Sequence, residues 1–268
     1  SISQLEKNAV MDVLDKEFLG MGEEVKMFEE KLQDYFCNET NVVCVNTGTS
    51  ALHLALSCLG VKEGDEVLVP SLTYIASYQA ISATGAKPIS CDINSNTLFI
   101  DVEDAEKRIS ENTKVIMPVH YASSSKGIDE VYRLAQKYDL RVVEDAAQAF
   151  GCKNDGKLVG SKGDVVCFSF DGIKNITSGE GGAVLSNDTS FIQKVRDARL
   201  LGVEKDTEKR FSGQRSWDFD VREQGFRYHM SNIMATIGLV QLNRLEEFTI
   251  KRQSIAKKYI EIFYNRQR

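Results

Sequence analysis

Long hydrophobic runs, histidine clusters and closely spaced cysteine pairs are all lacking in this 268-residue sequence. No apolar run approaches the ~20 residues that span a bilayer, and charges are scattered through segment 1–18, so neither a membrane helix nor a signal peptide is predicted. The histidines, His53, His120 and His229, lie far apart and give no support to a histidine-based metal site. Six cysteines without a C-x-x-C pair, several of them in apolar runs, predict buried free thiols in a reducing cytoplasm over disulfides or zinc ligands.

An excess of positive charge is also lacking. The net charge of −6 argues against a nucleic-acid partner or an anionic membrane surface, although it leaves room for a local basic pocket that binds a small phosphate ligand. The length allows one large domain with a sizeable core, or two smaller ones.

What the sequence does contain is seven short apolar runs rich in β-branched residues, as expected of strands covered on both faces. Helical patterns separate the first five runs, and a longer helical pattern is predicted to run from Ser231 toward the end. This alternation predicts an α/β fold with a seven-stranded, mostly parallel sheet and helices on both faces. Only a short loop joins the last two runs, so the final strand is predicted to be antiparallel. The runs are 42–46, 66–70, 87–93, 114–121, 141–146, 165–170 and 182–187.

Ligands of open α/β sheets bind beyond the carboxyl ends of the parallel strands. The segment after the first strand, Thr47-Gly48-Thr49-Ser50, opens a helix there. Free N–H groups and the helix dipole make such a start a phosphate cradle, but an ordinary Ser/Thr helix cap gives the same pattern.

Two acidic residues, Glu144 and Asp145, end the fifth strand. Because successive side chains of a strand face opposite sides, only one of them can point at a given ligand. A carboxylate there can hold a proton on a ring nitrogen or bind a metal, and the alternative is a helix cap or an ion pair.

A lysine in a Gly-rich loop is the third feature. Lys174 lies in FSFDGIKNITSGEGG (168–182), directly after a buried strand. Amine chemistry needs a lysine that is positioned and desolvated, and the glycines let the backbone approach a ligand closely. A solvated lysine in a hairpin is the alternative. Tyr74, just past the second strand, could stack on a flat cofactor or be a partly buried core residue.

A segment that looks like a P-loop, GCKNDGKL (151–158), has Leu158 where a Ser or Thr would meet magnesium, and its NDGK is predicted to form a hairpin turn. No metal site is therefore predicted from it.

Six motifs in order resemble one enzyme family. NTGTSALHLAL, GDEVLVPSLTYIAS, VHYA, VVEDAAQAFG, FSFDGIKNITSGEGG and GFRYHMSNIMATIGLVQL are similar to the DegT/DnrJ/EryC1/StrS family of nucleotide-sugar aminotransferases, over about 19–245. The resemblance implies the large domain of a fold-type-I enzyme that uses pyridoxal 5′-phosphate (PLP).

The resemblance also implies roles for individual residues. Lys174 matches the lysine that binds the cofactor covalently and then acts as general base. Asp145 matches the carboxylate that pairs with the pyridine nitrogen, which must stay protonated for the cofactor to act as an electron sink. The other matches are Gly48, Thr49, Ser50 and Ser169 near the phosphate, Tyr74 as the stacking aromatic and Gln148 beside the ring hydroxyl. Arg227 and His229 occupy the segment that reaches the neighbouring subunit's phosphate in many relatives, where an Asn is usual.

The resemblance further implies a homodimer with composite active sites, an amino-acid donor, glutamate by resemblance, and a nucleotide-linked 4-keto-6-deoxy sugar as acceptor. A related dehydratase branch has His in place of the lysine, so Lys174 favours transamination. The alternatives are a 3-keto sugar aminotransferase and a non-catalytic protein that binds PLP or a nucleotide sugar. The relatives continue for roughly another hundred residues. We therefore expect a PLP-binding domain over 1–245, with 246–268 beginning a C-terminal domain that is largely absent from this sequence.

Overall fold

A computed structural model of the chain describes residues 2–37, 40–214, 217–221 and 223–266. The last two residues of the predicted C-terminal segment 246–268 lie outside this range. The helices are α1 (Gln4–Asp15), α2 (Glu23–Tyr35), α3 (Gly48–Cys58), α4 (Ile75–Ser82), α5 (Val102–Arg108), α6 (Ile128–Tyr138), α7 (Thr189–Ala198), α8 (Asp206–Phe211), α9 (Asn232–Asn243) and α10 (Leu245–Arg266). The strands are β1 (Asn41–Val45), β2 (Glu66–Pro70), β3 (Lys87–Cys91), β4 (Thr113–Ile116), β5 (Arg141–Asp145), β6 (Lys153–Asn154), β7 (Lys157–Leu158), β8 (Val165–Ser169) and β9 (Gly182–Ser186).

Seven of these strands form one sheet in the order β1-β9-β8-β5-β4-β2-β3. β9 pairs antiparallel with both β1 and β8, and the remaining pairs in the sheet are parallel. The predicted α/β fold with its mostly parallel sheet and antiparallel last strand is confirmed. The carboxyl ends of β1, β2, β4, β5 and β8 consequently lie at the same edge of the sheet.

Helices cover both faces of the sheet, as predicted. Alternate residues of β1 show why: Val42 and Cys44 pack into a core with α2 and α9, whereas Val43 and Val45 pack into a core with α3 and α7. A third core lies under α5 and α6 against β2, β4 and β5. Burial on both faces explains the nearly continuous apolar runs in the sequence.

Two predicted elements differ from the structure. The predicted strand 114–121 ends at Ile116, because Pro118 has no N–H to donate to a ladder; beyond it only a single bridge joins Val119 to Asp145. The single long helix predicted from Ser231 is instead α9 and α10, which meet at Arg244.

The NDGK segment forms the turn of the β6–β7 hairpin, with positive φ at Asp155 (46°) and Gly156 (80°). This confirms the hairpin prediction for the segment that looks like a P-loop. Cys44, Cys91 and Cys167 are buried, as predicted for several of the thiols, whereas Cys37 is exposed. Among the described residues, no helix combines the length and apolar character needed to cross a membrane.

Candidate active site

A cavity of roughly 900 Å³ lies at the carboxyl ends of the parallel strands. The turns after β1, β2, β4, β5 and β8 all contribute to it, which is the place where α/β sheets bind ligands. Seven of the ten residues predicted to form the site line this cavity: Gly48, Thr49, Tyr74, Asp145, Gln148, Ser169 and Lys174.

The start of α3 forms one wall. Thr47 is the N-cap of this helix; its Oγ1 accepts from the N–H of Ser50 (3.0 Å), and the Thr47 N–H donates to Ser50 Oγ (3.1 Å). The cap interpretation is correct, and it leaves Gly48 and Thr49 lining the cavity from the first turn of the capped helix, so the phosphate cradle stays a prediction.

Ser50, which the resemblance placed near the phosphate, does not line the cavity. Its hydroxyl donates to Asn46 Oδ1 (2.6 Å) and completes the cap, and the residue is buried outside the cavity lining. The capping box occupies the hydroxyl, so only Gly48 and Thr49 of the predicted triplet line the cavity.

Close packing fixes the position of this helix start. A Cβ on Gly48 would lie 2.7 Å from the Cβ of Ser169, so glycine is required for α3 to approach the end of β8. Gly182, the first residue of β9, likewise lies against the backbone of Thr47. The phosphate-type turn and the ends of β8 and β9 form one rigid unit.

Asp145 ends β5 and is 6% exposed. Its Oδ2 accepts from Ser77 Oγ (2.7 Å) and its Oδ1 from the Ala147 N–H (3.2 Å). Burial raises the pKa of this carboxyl, while the two hydrogen bonds and the electrostatic effect of the nearby His120 and Lys174 side chains oppose the rise. A buried carboxylate of this kind is an acceptor that needs a cationic partner in the cavity.

Glu144, the preceding residue, points to the other face of the sheet. Its carboxylate binds His120 Nε2 (2.7 Å) and accepts from Tyr132 Oη (2.7 Å), both away from the cavity that Asp145 lines. The contacts of Glu144 are therefore buried hydrogen-bond partners on the far side of the sheet and not a ligand of the cavity.

Lys174 lies in the loop between β8 and β9 and is partly buried. The backbone N–H of Lys174 donates to Asp171 O (3.0 Å). The backbone N–H of Phe170 donates to Gly181 O (2.8 Å), which joins the two ends of the loop. The amide of Asn175 donates to Phe150 O (2.7 Å). These bonds fix the backbone that carries the lysine, which lines the cavity with Asp145 and the start of α3.

Tyr74 and Gln148 lie on the remaining walls. Tyr74 is 70% exposed at the N-cap of α4, so its ring is available at the rim of the cavity. Gln148 Oε1 accepts from the Ala122 N–H (2.8 Å), which holds the segment after β4 against the segment after β5.

Arg227 and His229 do not line this cavity. They line a separate pocket of about 170 Å³ together with Asp206 and Arg210. Burial, followed by the charges of the neighbouring arginines, lowers the pKa of His229 to about 4. The contact with a neighbouring subunit that the sequence suggested for these two residues stays a prediction.

Sequence reasoning missed Ser77 and Thr73. Ser77 is fully buried and joins Asp145 to Thr73, whose Oγ1 lies 2.7 Å from Ser77 Oγ. The sequence signal is faint: Thr73 precedes the N-cap of α4 and Ser77 lies in the first turn of that helix, four residues later in TYIAS.

Comparison with known proteins supports the assignment made from the motifs. The sequence model of the DegT/DnrJ/EryC1/StrS aminotransferase family matches residues 1–268. The uncharacterized protein MJ1066 of Methanocaldococcus jannaschii is 40% identical over 264 residues, which is 98% of this chain and 68% of that protein.

Solved structures are similar over nearly the whole chain. DesV of S. venezuelae is 33% identical with a TM-score of 0.86, covering 96% of this chain and 66% of that one. The PLP form of Spr1654 of Streptococcus pneumoniae is 31% identical with a TM-score of 0.90, covering 98% and 70%. PseC of Helicobacter pylori, an aminotransferase involved in the biosynthesis of pseudoaminic acid, is 29% identical with a TM-score of 0.88, covering 98% and 69%.

The chain thus spans about two thirds of the length of these relatives, and its sheet is that of the PLP fold-type-I enzymes. The match of the family's sequence model over residues 1–268, and the agreement in fold with its solved members, show that the chain belongs to the DegT/DnrJ/EryC1/StrS aminotransferase family, with pyridoxal 5′-phosphate as its cofactor.

Proposed function

We propose that this chain transfers an amino group from an amino acid, glutamate by family likeness, to a nucleotide-linked 4-keto-6-deoxy sugar for the synthesis of surface polysaccharide. The observation that carries the proposal is the single cavity that contains Lys174, Asp145 and the start of α3. The sugar-aminotransferase relatives support the class of acceptor. A 3-keto sugar acceptor is the alternative within the family.

The residues of the cavity fit PLP. Asp145 is a buried carboxylate whose pKa is raised by burial, and a protonated ring nitrogen is the cationic partner that such a group needs. The first turn of α3, with Ser169 packed against Gly48, offers N–H groups and a hydroxyl to a phosphate. When bound, PLP supplies an electron sink for carbanion chemistry at the substrate.

The chain's own residues then have distinct tasks. Lys174 Nζ would hold the cofactor and, as a free amine, would be the general base that takes the proton from the donor's α-carbon. Asp145 would keep the ring nitrogen protonated, because its carboxylate is buried away from solvent and is stabilised by the positive charge of the protonated ring. Gly48, Thr49 and Ser169 anchor the phosphate, and the exposed ring of Tyr74 covers the cofactor from the rim.

Absorbance of the bound cofactor tests these tasks. Lys174→Ala removes the covalent attachment, so the visible band of bound PLP is lost, whereas Lys31→Ala, at an exposed position of α2, keeps it. An unchanged band in Lys174→Ala contradicts the role of the lysine. Asp145→Ala retains some PLP but loses most turnover, and near-normal turnover contradicts the role of the carboxylate.

A substrate panel tests the reaction. The protein is incubated with PLP, glutamate and keto nucleotide sugars that differ in the position of the ketone, and amino-sugar products are identified by mass spectrometry. Amination of a 4-keto sugar supports the proposal, and amination of a 3-keto sugar supports the alternative. Bound PLP without any product favours a non-catalytic binding protein.

We further propose that two chains form a homodimer with composite sites. Ile173, beside the lysine, is 89% exposed at the cavity rim, and Arg227 is exposed on the segment whose Tyr228 carbonyl accepts from the Asn46 N–H (2.7 Å) at the end of β1. If Arg227 reaches a partner's cofactor, mixing inactive Lys174→Ala with Arg227→Ala restores turnover. If the turnover of the mixture does not exceed the summed turnover of the two separate variants, composite sites are contradicted.

The domain layout is also a proposal: residues 1–245 form the PLP-binding domain, and 246–268 begins a second domain. Exposed apolar side chains along α10, among them Ile255, Tyr259 and Phe263, support it. Limited proteolysis is expected to cut α10 first and leave a protected 1–245 core. The buried thiols favour a cytoplasmic location, which fractionation of the source cells tests.

A further inference from the structure

A chain of hydroxyl groups leads from the rim of the cavity to the buried carboxylate. Thr73 Oγ1 lies 2.7 Å from Ser77 Oγ, and Ser77 Oγ donates to Asp145 Oδ2 at 2.7 Å. Ser77 is fully buried, whereas Thr73 lines the cavity. Ser77 lies in the first turn of α4 and Thr73 in the segment just before its N-cap, Tyr74, both separate from the β5 strand that carries Asp145.

The direction of these hydrogen bonds follows from the number of protons. Ser77 has one hydroxyl proton, and it is given to the carboxylate. Between the two hydroxyls Thr73 is then the donor whenever Asp145 is ionised, and the shorter contact, 2.7 Å to Ser77 against 3.3 Å to the Tyr74 carbonyl oxygen, favours Ser77 as its acceptor. A donated hydrogen bond favours the charged form of a carboxylate and opposes the effect of burial.

The geometry also restrains the carboxylate. Ser77 holds Oδ2 from α4, and the Ala147 N–H holds Oδ1 from the turn after β5. With both oxygens anchored from different elements, the side chain cannot rotate without losing a bond. The charged or titratable groups around it are Lys174 and His120, while the thiol of Cys167 lies on the adjacent strand.

We propose that Ser77 is a positioning residue for the amino transfer: its hydroxyl keeps the Asp145 carboxylate ionised and oriented, and Thr73 in turn orients Ser77. This inference rests on the proposed role of Asp145 at the cofactor's ring nitrogen. Ser77 acts through Asp145 and does not line the cavity.

The test is a pH titration of the visible band of bound PLP in the Ser77→Ala holoenzyme. Without the hydrogen bond from Ser77 the Asp145 carboxylate is more basic, so the proton of the ring nitrogen shifts toward Asp145. The ring then carries less positive charge, and the nitrogen of Lys174 that is bonded to the cofactor stays protonated to a higher pH. The midpoint of the band is expected to rise by about one pH unit, and kcat to fall by about tenfold with little change in KM.

Two controls accompany this variant. Ser82→Ala removes an exposed serine from the same helix and leaves midpoint and kcat unchanged. Thr73→Val removes the donor to Ser77 and is expected to raise the midpoint by a smaller amount than Ser77→Ala does. Thr73→Ser keeps the hydroxyl and is expected to leave the midpoint at the value of the unaltered protein. If Ser77→Ala does not fold, the Thr73→Val and Thr73→Ser pair decides the question.

The outcomes separate this inference from the proposed function. Asp145→Asn is titrated in parallel. If it moves the midpoint while Ser77→Ala and Thr73→Val do not, Ser77 is merely structural and the inference is overturned. If Asp145→Asn itself leaves the midpoint and turnover unchanged, the proposed role of Asp145 fails first. A uniform loss of stability in Ser77→Ala, with an unchanged midpoint, also overturns the inference.

Discussion

Replacing Gly48 by alanine probes the packing that places the start of α3 in the site. The new Cβ would lie 2.7 Å from Ser169 Cβ and 3.0 Å from its Oγ. To reach ordinary contact the two elements must separate by about 0.7 Å, and overpacking of this kind costs about 1–3 kcal/mol. The better helix preference of alanine offsets less than about 1 kcal/mol of that cost.

We therefore expect Gly48→Ala to lower the free energy of unfolding by about 1–2 kcal/mol, or Tm by about 2–8 °C for a chain of this size. Because the displaced N–H groups face the proposed phosphate site, PLP affinity is expected to fall by about tenfold. Thermal unfolding of the cofactor-free protein and fluorescence titration with PLP measure the two effects.

Gly20→Ala is the matched control, since nothing lies within 4 Å of its added Cβ. Adding Ser169→Gly to Gly48→Ala removes the opposing Cβ, so the double variant is expected to regain stability relative to the sum of the two changes. Equal unfolding temperatures for Gly48→Ala and the unaltered chain, or strict additivity in the double variant, would refute the reasoning about this contact.

Three further predictions concern buried polar contacts. Arg199→Ala leaves the carboxylate of Glu29 buried without its cation and is expected to cost about 3–5 kcal/mol in urea unfolding, whereas exposed Arg133→Ala costs less than about 0.5 kcal/mol. Burial raises the pKa of Glu6, but hydrogen bonds from its neighbours outweigh burial and bring the pKa down to about 2. The ionised carboxylate therefore contributes stability above pH ~4.5, and this contribution is lost as the pH falls toward 2. Glu6→Gln is expected to flatten the profile of Tm against pH over that range. Tyr132→Phe removes a hydrogen bond to the buried carboxylate beside it and is expected to cost about 1–3 kcal/mol, with an unchanged Tm contradicting the described network.

Much of the fold could be predicted from the sequence, because strands covered on both faces leave continuous apolar runs that no surface helix shares. The antiparallel β9 followed from the short loop that carries Lys174. The end of β4 was misplaced because the apolar run continues through Pro118, where the ladder cannot. The break at Arg244 has no apolar signature, since its guanidinium binds Glu6 of α1, a contact distant in sequence.

The site shows the same division. Asp145 at the end of β5 and Lys174 in the loop after β8 could be placed from the pattern, because parallel strands end at one edge. The side-chain directions could not. Ser50 turns into its own helix cap, and Ser77 reaches Asp145 from another element, because both depend on hydrogen-bond partners that a linear pattern does not specify.

The pairing of β1 with β9 has a consequence for synthesis on the ribosome. Asn41 lies opposite Ser186, so this pair closes only after some 145 further residues have been made. The turn that follows β1 and the loop that precedes β9 both line the cavity. Because a ligand stabilises only the form that binds it, we expect PLP to stabilise the folding chain only after β9 has been made and has paired with β1.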